Sequence, residues 1–302
     1  MEASSTPTPE DGQAAPPVCY RHPGRETHVR CTRCDRYICP DCMRSAAVGF
    51  QCPECVNEGN REVRHAQTAF GATIRQNFVP WVTYTLIALN VLVYIAEIAG
   101  GDEFVYRFAD WGGVREYAGG FQIVDPSDGI VNGEWYRMIT GAFLHAQPGE
   151  GISVLHILFN MYMLWMLGRV VEQGLGHLRF VVLYVVAALG GSVVPYIVSP
   201  EVFTYGASGA IFGLIGAYYL MTRRVGRPDT QFLVTGLVWL VISAGFASWE
   251  GHLGGLLAGS AVAYAYAYTP QQHRKVLHIA GPALVLVAIV VATMAKTAAL
   301  TP

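Results

Sequence analysis

Charged side chains are scarce in this sequence. Asp, Glu, Lys and Arg make up 14% of its 302 residues, where soluble domains carry about 25%. With 52% hydrophobic residues and a mean hydropathy of +0.33, that deficit excludes an ordinary soluble globular protein. A basic excess is missing as well. The net charge is −2, so nothing points to nucleic acid as a partner. Residues 1–17, "MEASSTPTPEDGQAAPP", contain no apolar stretch. A disordered acidic tail is expected there, and no signal peptide. Cysteine is absent after Cys55, so all seven cysteines lie in the polar N-terminal part.

From Val79 onward the charges retreat into short connectors between apolar runs. A spanning helix needs about 20 mostly apolar residues. Seven segments meet that need, at roughly 79–99, 151–169, 178–198, 205–222, 231–248, 251–269 and 279–296. A loop at about 100–150, rich in Gly and aromatics, is too polar to span. Lys and Arg set the orientation. Arg61, Arg64, Arg75, Arg169, Arg179, Arg223, Arg224, Arg227, Arg274 and Lys275 fall on one side, whereas the connectors "SPEVFT" and "SWE" on the other have none. The expected protein is an all-α polytopic membrane protein with a cytoplasmic N-terminus and an extracytoplasmic C-terminus. Its expected parts are the tail (1–17), a cysteine module (18–58), a linker (59–78), a six-helix membrane domain (79–270), and a connector with a seventh helix (271–302).

The module holds Cys19-x2-His22, Cys31-x2-Cys34, Cys39-x2-Cys42 and Cys52-x2-Cys55. A two-residue spacer lets both side chains of a knuckle face one ion, and eight ligands suit two tetrahedral zinc ions. A disulfide scaffold is the competing reading. It needs an oxidising compartment and leaves one of seven cysteines unpaired. The knuckle pairing is open. The interleaved order, with Cys19, His22, Cys39 and Cys42 on one ion, resembles B-box and RING-type fingers. So small a module has almost no apolar core, so metal must supply its folding energy. Closed four-ligand sites leave no position for catalysis, so the module is expected to bind a protein partner or to regulate.

Of the polar residues in the apolar part, four matter most: His156, Asn160, Ser208 and His252. Ionisable groups inside a bilayer are functional candidates. His156 and Asn160 are i, i+4 and share a helix face. Their "HILFN" lacks the glutamate and second histidine of a zinc protease helix, so an intramembrane metal site is unsupported. Ser208 in "GASG" is by itself a packing residue. Glycine stripes at 209, 213 and 216 and at 255 and 259 would let two helices approach closely, however, bringing Ser208 Oγ to the His252 ring. With the N-terminus inside, His156, Ser208 and His252 each fall near the outer start of their helix, at matched depth. A water-accessible site explains that match, whereas packing serines do not need it.

The segment 79–270 thereby resembles a rhomboid intramembrane serine protease. The matching stretches, in order, are "GEWYRMITGAFLH" (133–145), "HILFN" (156–160), "GRVVEQGLG" (168–176), "GASGAIFG" (206–213) and "GHLGG" (251–255). The resemblance implies a six-helix bundle plus one C-terminal helix. It implies Ser208 as nucleophile and His252 as base in a dyad without an acidic member, since Glu250 points to another face. It also implies His156 and Asn160 as oxyanion donors, transmembrane proteins as substrates, and no cofactor for catalysis. Trp135 and Arg137, Glu172 and Gly176, and His145 match supporting positions of the family. Phe212 stands where many relatives have tyrosine and could stack under His252. "AQPGEGIS" before His156 is long for its loop. Two other readings compete: a pseudoprotease that binds membrane segments without cutting, which would usually lack Ser or His, and a transporter, which would place charges or broken helices near mid-bilayer.

Overall fold

The structure is a computed structural model that describes residues 15–62, 66–117, 120–149, 153–245 and 247–301. Most of the N-terminal tail and residues 150–152 of the "AQPGEGIS" loop lie outside the described residues. The chain divides into two compact units, Met1–His65 and Ala66–Pro302.

The first unit is built on turns. Strand β1 (Arg44–Ser45) pairs antiparallel with β2 (Phe50–Gln51), and helix α1 (Pro53–Glu62) follows. The knuckle after Cys31 closes on Asp35, whose φ of 59° is one that Asp tolerates better than most residues. The unit's buried cluster consists of six cysteines and Ile38, with Tyr20, Cys34 and Met43 packed against it. A single aliphatic residue is too little to fold such a unit.

The second unit is helical. α2 (Trp81–Phe108) is followed by a hairpin of β3 (Val114–Tyr117) and β4 (Gly120–Ile123), and then by short α3 (Arg137–Thr140). Next come α4 (Ser153–Leu175), α5 (His177–Val198), α6 (Ser208–Arg224), α7 (Thr230–Ser243), α8 (Trp249–Tyr268) and α9 (Arg274–Leu300). The seven expected spans correspond to α2 and α4 to α9. Among the described residues four helices, α2, α4, α5 and α9, are long and apolar enough to cross a membrane. α6 and α8 carry the glycines, and α7 has only 14 residues. α7 starts at an Asp229 N-cap, which accepts from the Phe232 N–H at 3.0 Å, and stops five residues before the expected 248. α2 runs past the expected 99 because Gly101 absorbs a break at φ 62°, ψ −156°.

α5 sits at the centre, with 56% of its span buried, against 17% for α2 and for α9. The outer helices turn large apolar side chains outward, such as Leu92, Val241 and Ile279 at 62, 75 and 73% exposure. Such a surface suits lipid rather than water.

α6 and α8 meet through glycine. A Cβ at Gly255 would lie 1.9 Å from the Gly209 carbonyl oxygen, and one at Gly259 would lie 2.4 Å from Gly213 Cα. Backbone cannot retreat as a side-chain tip can. Gly255→Ala should therefore force the helices apart, costing about 1–3 kcal/mol. The expected result is a lower melting temperature in detergent. An unchanged one would contradict this packing.

At the far end from Ser208, buried Glu172 caps α2. Its Oε1 accepts from the Val82 N–H at 3.0 Å and its Oε2 from the Thr83 N–H at 2.8 Å. These are orphan donors of the first helical turn. Gly176, at φ 82°, ends α4 and admits the turn to α5. Much of the 59–78 stretch read as linker has structure of its own. α1 reaches Glu62, and from Ala66 the chain belongs to the second unit, with Thr68 Oγ1 donating to the Gly174 carbonyl at 2.7 Å.

Candidate functional site

Ser208 is the first residue of α6, and His252 lies in the first turn of α8. The glycine contact brings His252 Nε2 to 2.9 Å from Ser208 Oγ. Phe212, one turn along α6, stacks on the His252 ring at 4.4 Å between centroids and 16° between planes. Glu250 turns elsewhere, toward Ser199 Oγ at 3.3 Å.

Sequence reasoning missed one partner. His252 Nδ1 is 2.8 Å from Ser243 Oγ, at the C-terminal end of α7. Ser243 gives its single hydroxyl hydrogen to the Leu240 carbonyl at 2.7 Å, so its oxygen can only accept from the ring. This hydrogen-bond bookkeeping assigns the proton to Nδ1 and leaves the Nε2 lone pair facing Ser208. That is the tautomer in which an imidazole can take the serine proton. The only signal in the sequence was a serine near the end of an apolar segment, which is too common to single out.

His156 lies in the first turn of α4. Its Nδ1 accepts from the Ala146 N–H at 3.3 Å, so Nε2 carries hydrogen and can donate. A Cβ on Gly206 would lie 3.2 Å from that Nε2 and 3.6 Å from Ser208 Oγ. Both groups thus border one small space, beside the positive N-terminus of α6. Asn160 is buried a turn deeper, donates to the His156 carbonyl at 3.0 Å, and does not line the cavity. His145 is buried, packs against His156 with ring centroids 5.1 Å apart and planes tilted by 54°, and donates its backbone N–H to Glu97 Oε2 at 3.0 Å.

The Ser208–His252 pair and His156 open into a cavity of about 550 Å³. Asp110 forms part of its wall. Burial pushes this carboxyl up to about 8. Arg137, almost fully buried, holds the preceding loop to the end of α2 through the Tyr106 and Ala109 carbonyls and is paired with Glu134. Trp135 stays exposed.

In the first unit the eight knuckle residues form two sets, Cys19, His22, Cys39 and Cys42, and Cys31, Cys34, Cys52 and Cys55. The pairing is the interleaved one. A tetrahedral zinc with Zn–S of about 2.3 Å needs ligand atoms roughly 3.8 Å apart. Cys34 and Cys52 sulfurs are 3.8 Å apart, and His22 Nδ1 lies 3.8, 3.3 and 3.4 Å from the Cys19, Cys39 and Cys42 sulfurs. Burial opposes ionisation of Cys19 and Cys31, but backbone N–H donors outweigh it and bring both thiols down to about 6. Burial, then neighbouring sulfurs, pushes Cys42 up to about 11 and Cys55 to about 12. A central dication is what would let all the sulfurs of one set ionise together. Donor type, number and spacing therefore fit a structural zinc in each set.

Comparison with known proteins agrees with the membrane unit. Residues 132–269 match the family model described as Rhomboid domain. Rhomboid protease GluP of Bacillus subtilis (strain 168) is 32% identical over 196 residues, covering 62% of this chain and 35% of the relative. Rhomboid protease GlpG of Salmonella choleraesuis (strain SC-B67) is 31% identical over 216 residues, covering 68% of this chain and 70% of the relative. The GlpG of Salmonella newport (strain SL254) matches to the same extent. The chain thus spans only about a third of GluP but more than two thirds of GlpG. The helical bundle, its lipid-facing surface and these relatives together carry the assignment: the chain is an integral membrane protein and belongs to the rhomboid family of intramembrane serine proteases.

Proposed function

We propose that this chain is an intramembrane endopeptidase that cuts transmembrane segments of other proteins with Ser208 and His252. The observation that carries the reading is the 2.9 Å approach of His252 Nε2 to Ser208 Oγ, with the ring proton held on Nδ1 by Ser243. A substrate segment enters laterally and unwinds at the cavity. His252 takes the Ser208 proton as Oγ attacks the peptide carbonyl carbon. The oxyanion meets the His156 Nε2–H and the Ser208 backbone N–H, with Asn160 supporting His156 from one turn below. His252 then protonates the leaving amine, and water activated by the same ring hydrolyses the acyl-enzyme. No step needs a metal.

The Lys and Arg distribution puts the N-terminus in the cytoplasm. Cleavage then falls near the extracytoplasmic face, because Ser208 and His252 begin helices that run inward. The zinc module would be cytoplasmic and closed, and suits binding a protein partner.

Reconstitution with a labelled single-span substrate tests the proposal against a pseudoprotease. Cleavage products support it. Co-purification of intact substrate without product supports the alternative. Ser243 has its own test. Ser243→Ala removes an acceptor for a ring that becomes charged during turnover, a bond of about 1.5–3 kcal/mol. The expected result is a 10- to 100-fold fall in kcat with KM unchanged, restored by Ser243→Thr. A change in KM alone, or no rescue by threonine, would contradict the positioning role.

A further inference from the structure

At the end of the second unit away from Ser208, α5, α8 and α9 surround a cleft of about 770 Å³. One part of its lining is cationic: Arg179 at the start of α5 and Arg274 and Lys275 at the start of α9. Another part is apolar, with Leu178, Ile279 and Leu286, all of which are also exposed on the outer surface. The two guanidinium groups converge. A Cβ on Gly71 would meet Arg274 Nη1 at 3.3 Å and Arg179 Nη1 and Nη2 at 3.6 Å. Like charges set side by side repel, and burial makes this worse. Among the described residues none of the three cations has a carboxylate partner. Arg179 donates to the Phe70 and Leu175 carbonyls at 3.1 Å, and Arg274 to the Ala69 carbonyl. These satisfy single N–H groups and neutralise nothing. Arg274 Nε is buried without an acceptor.

We propose that this cleft binds an anionic phospholipid, its phosphodiester headgroup on Arg179, Arg274 and Lys275 and an acyl chain along the apolar lining. Guanidinium forks suit phosphate oxygens, and basic pockets between membrane helices on the cytoplasmic side favour such headgroups. The charge rule on orientation alone would need the cations but not the cleft, which gives the experiment its second arm. The site is independent of the Ser208 reading, so either can fail without the other.

The full chain, purified in neutral detergent, is titrated with phosphatidylglycerol or phosphatidylcholine of identical acyl chains, or with glycerol 3-phosphate. Bound lipid is read by native mass spectrometry and stabilisation by melting temperature. Phosphatidylglycerol should bind at least tenfold tighter than phosphatidylcholine, and glycerol 3-phosphate should give no stabilisation. Each cation near such a headgroup contributes roughly fivefold. Lys275→Gln, at an exposed position, should therefore weaken phosphatidylglycerol about fivefold, and Arg179→Gln with Arg274→Gln about 25-fold. Ala283→Trp, exposed on α9 and filling the cleft, should weaken it with every cation intact. Equal binding of the two lipids would overturn the proposal. So would undiminished phosphatidylglycerol binding in both Lys275→Gln and Ala283→Trp, or glycerol 3-phosphate stabilising as well as the lipid does.

Discussion

Ser208→Ala should abolish cleavage of a reconstituted transmembrane substrate, with an expected fall of about 10⁴-fold or more, while the fold and the melting temperature are kept. Removing the attacking oxygen leaves only the stabilisation that binding and oxyanion donors give. The structure makes this a clean test. Among the described residues Ser208 Oγ bonds only the His252 ring, and the Gly209–Gly255 contact beside it is backbone against backbone. Neither the helix packing nor the Phe212 stack depends on the hydroxyl. His252→Ala should be as inactive but less stable, since it empties a site packed between Phe212 and Ser243. Wild-type rates in Ser208→Ala would contradict the mechanism.

The second large effect is on the first unit. Stripping metal with a strong chelator should unfold residues 15–62 and make all seven cysteines reactive to alkylation without denaturant. Structural zinc in small modules contributes about 10–16 kcal/mol of apparent folding energy. Burying Ile38, the cluster's one non-cysteine member, contributes about 1.5–3 kcal/mol. The metal term wins by several-fold. Cys39→Ser should mimic chelation for its set. Limited proteolysis checks the prediction: cleavage within 15–62 appears on chelation, while residues from Ala66 onward stay protected. Thiols that remain unreactive after chelation would contradict it. The same experiment, with cleavage assayed alongside, reports whether the module regulates the membrane unit. A chain shortened for comparison should begin at Ala66 rather than Val79, because Thr68 bonds to Gly174 in the last turn of α4 and Phe70 to Arg179 in α5.

Ser208, His252 and His156 were legible in the sequence because a polar residue in an apolar run stands out, and three at one depth stand out together. The glycine stripes were legible for the same reason of period. Ser243 was not, since the fifth span was drawn through 248 and a serine near a helix end carries no pattern. Only the early stop of α7 brings it to the His252 ring. The β3–β4 hairpin was hidden in the polar loop because four-residue strands are shorter than any period a sequence displays. Spacing gave the knuckles but not their pairing, since either order satisfies two tetrahedra. The fold chose by bringing the Cys39 and Cys42 sulfurs to His22. Glu172 as the cap of α2 joins residues 90 positions apart, and no local rule links them.

The central claim is that Ser208 is a nucleophile activated by His252. The most direct measurement treats the detergent-solubilised full chain with a fluorophosphonate and locates the adduct by peptide mass spectrometry. One adduct is expected, on Ser208 Oγ, and none in His252→Ala. An adduct on a different serine, or equal labelling of Ser208→Ala, would contradict it.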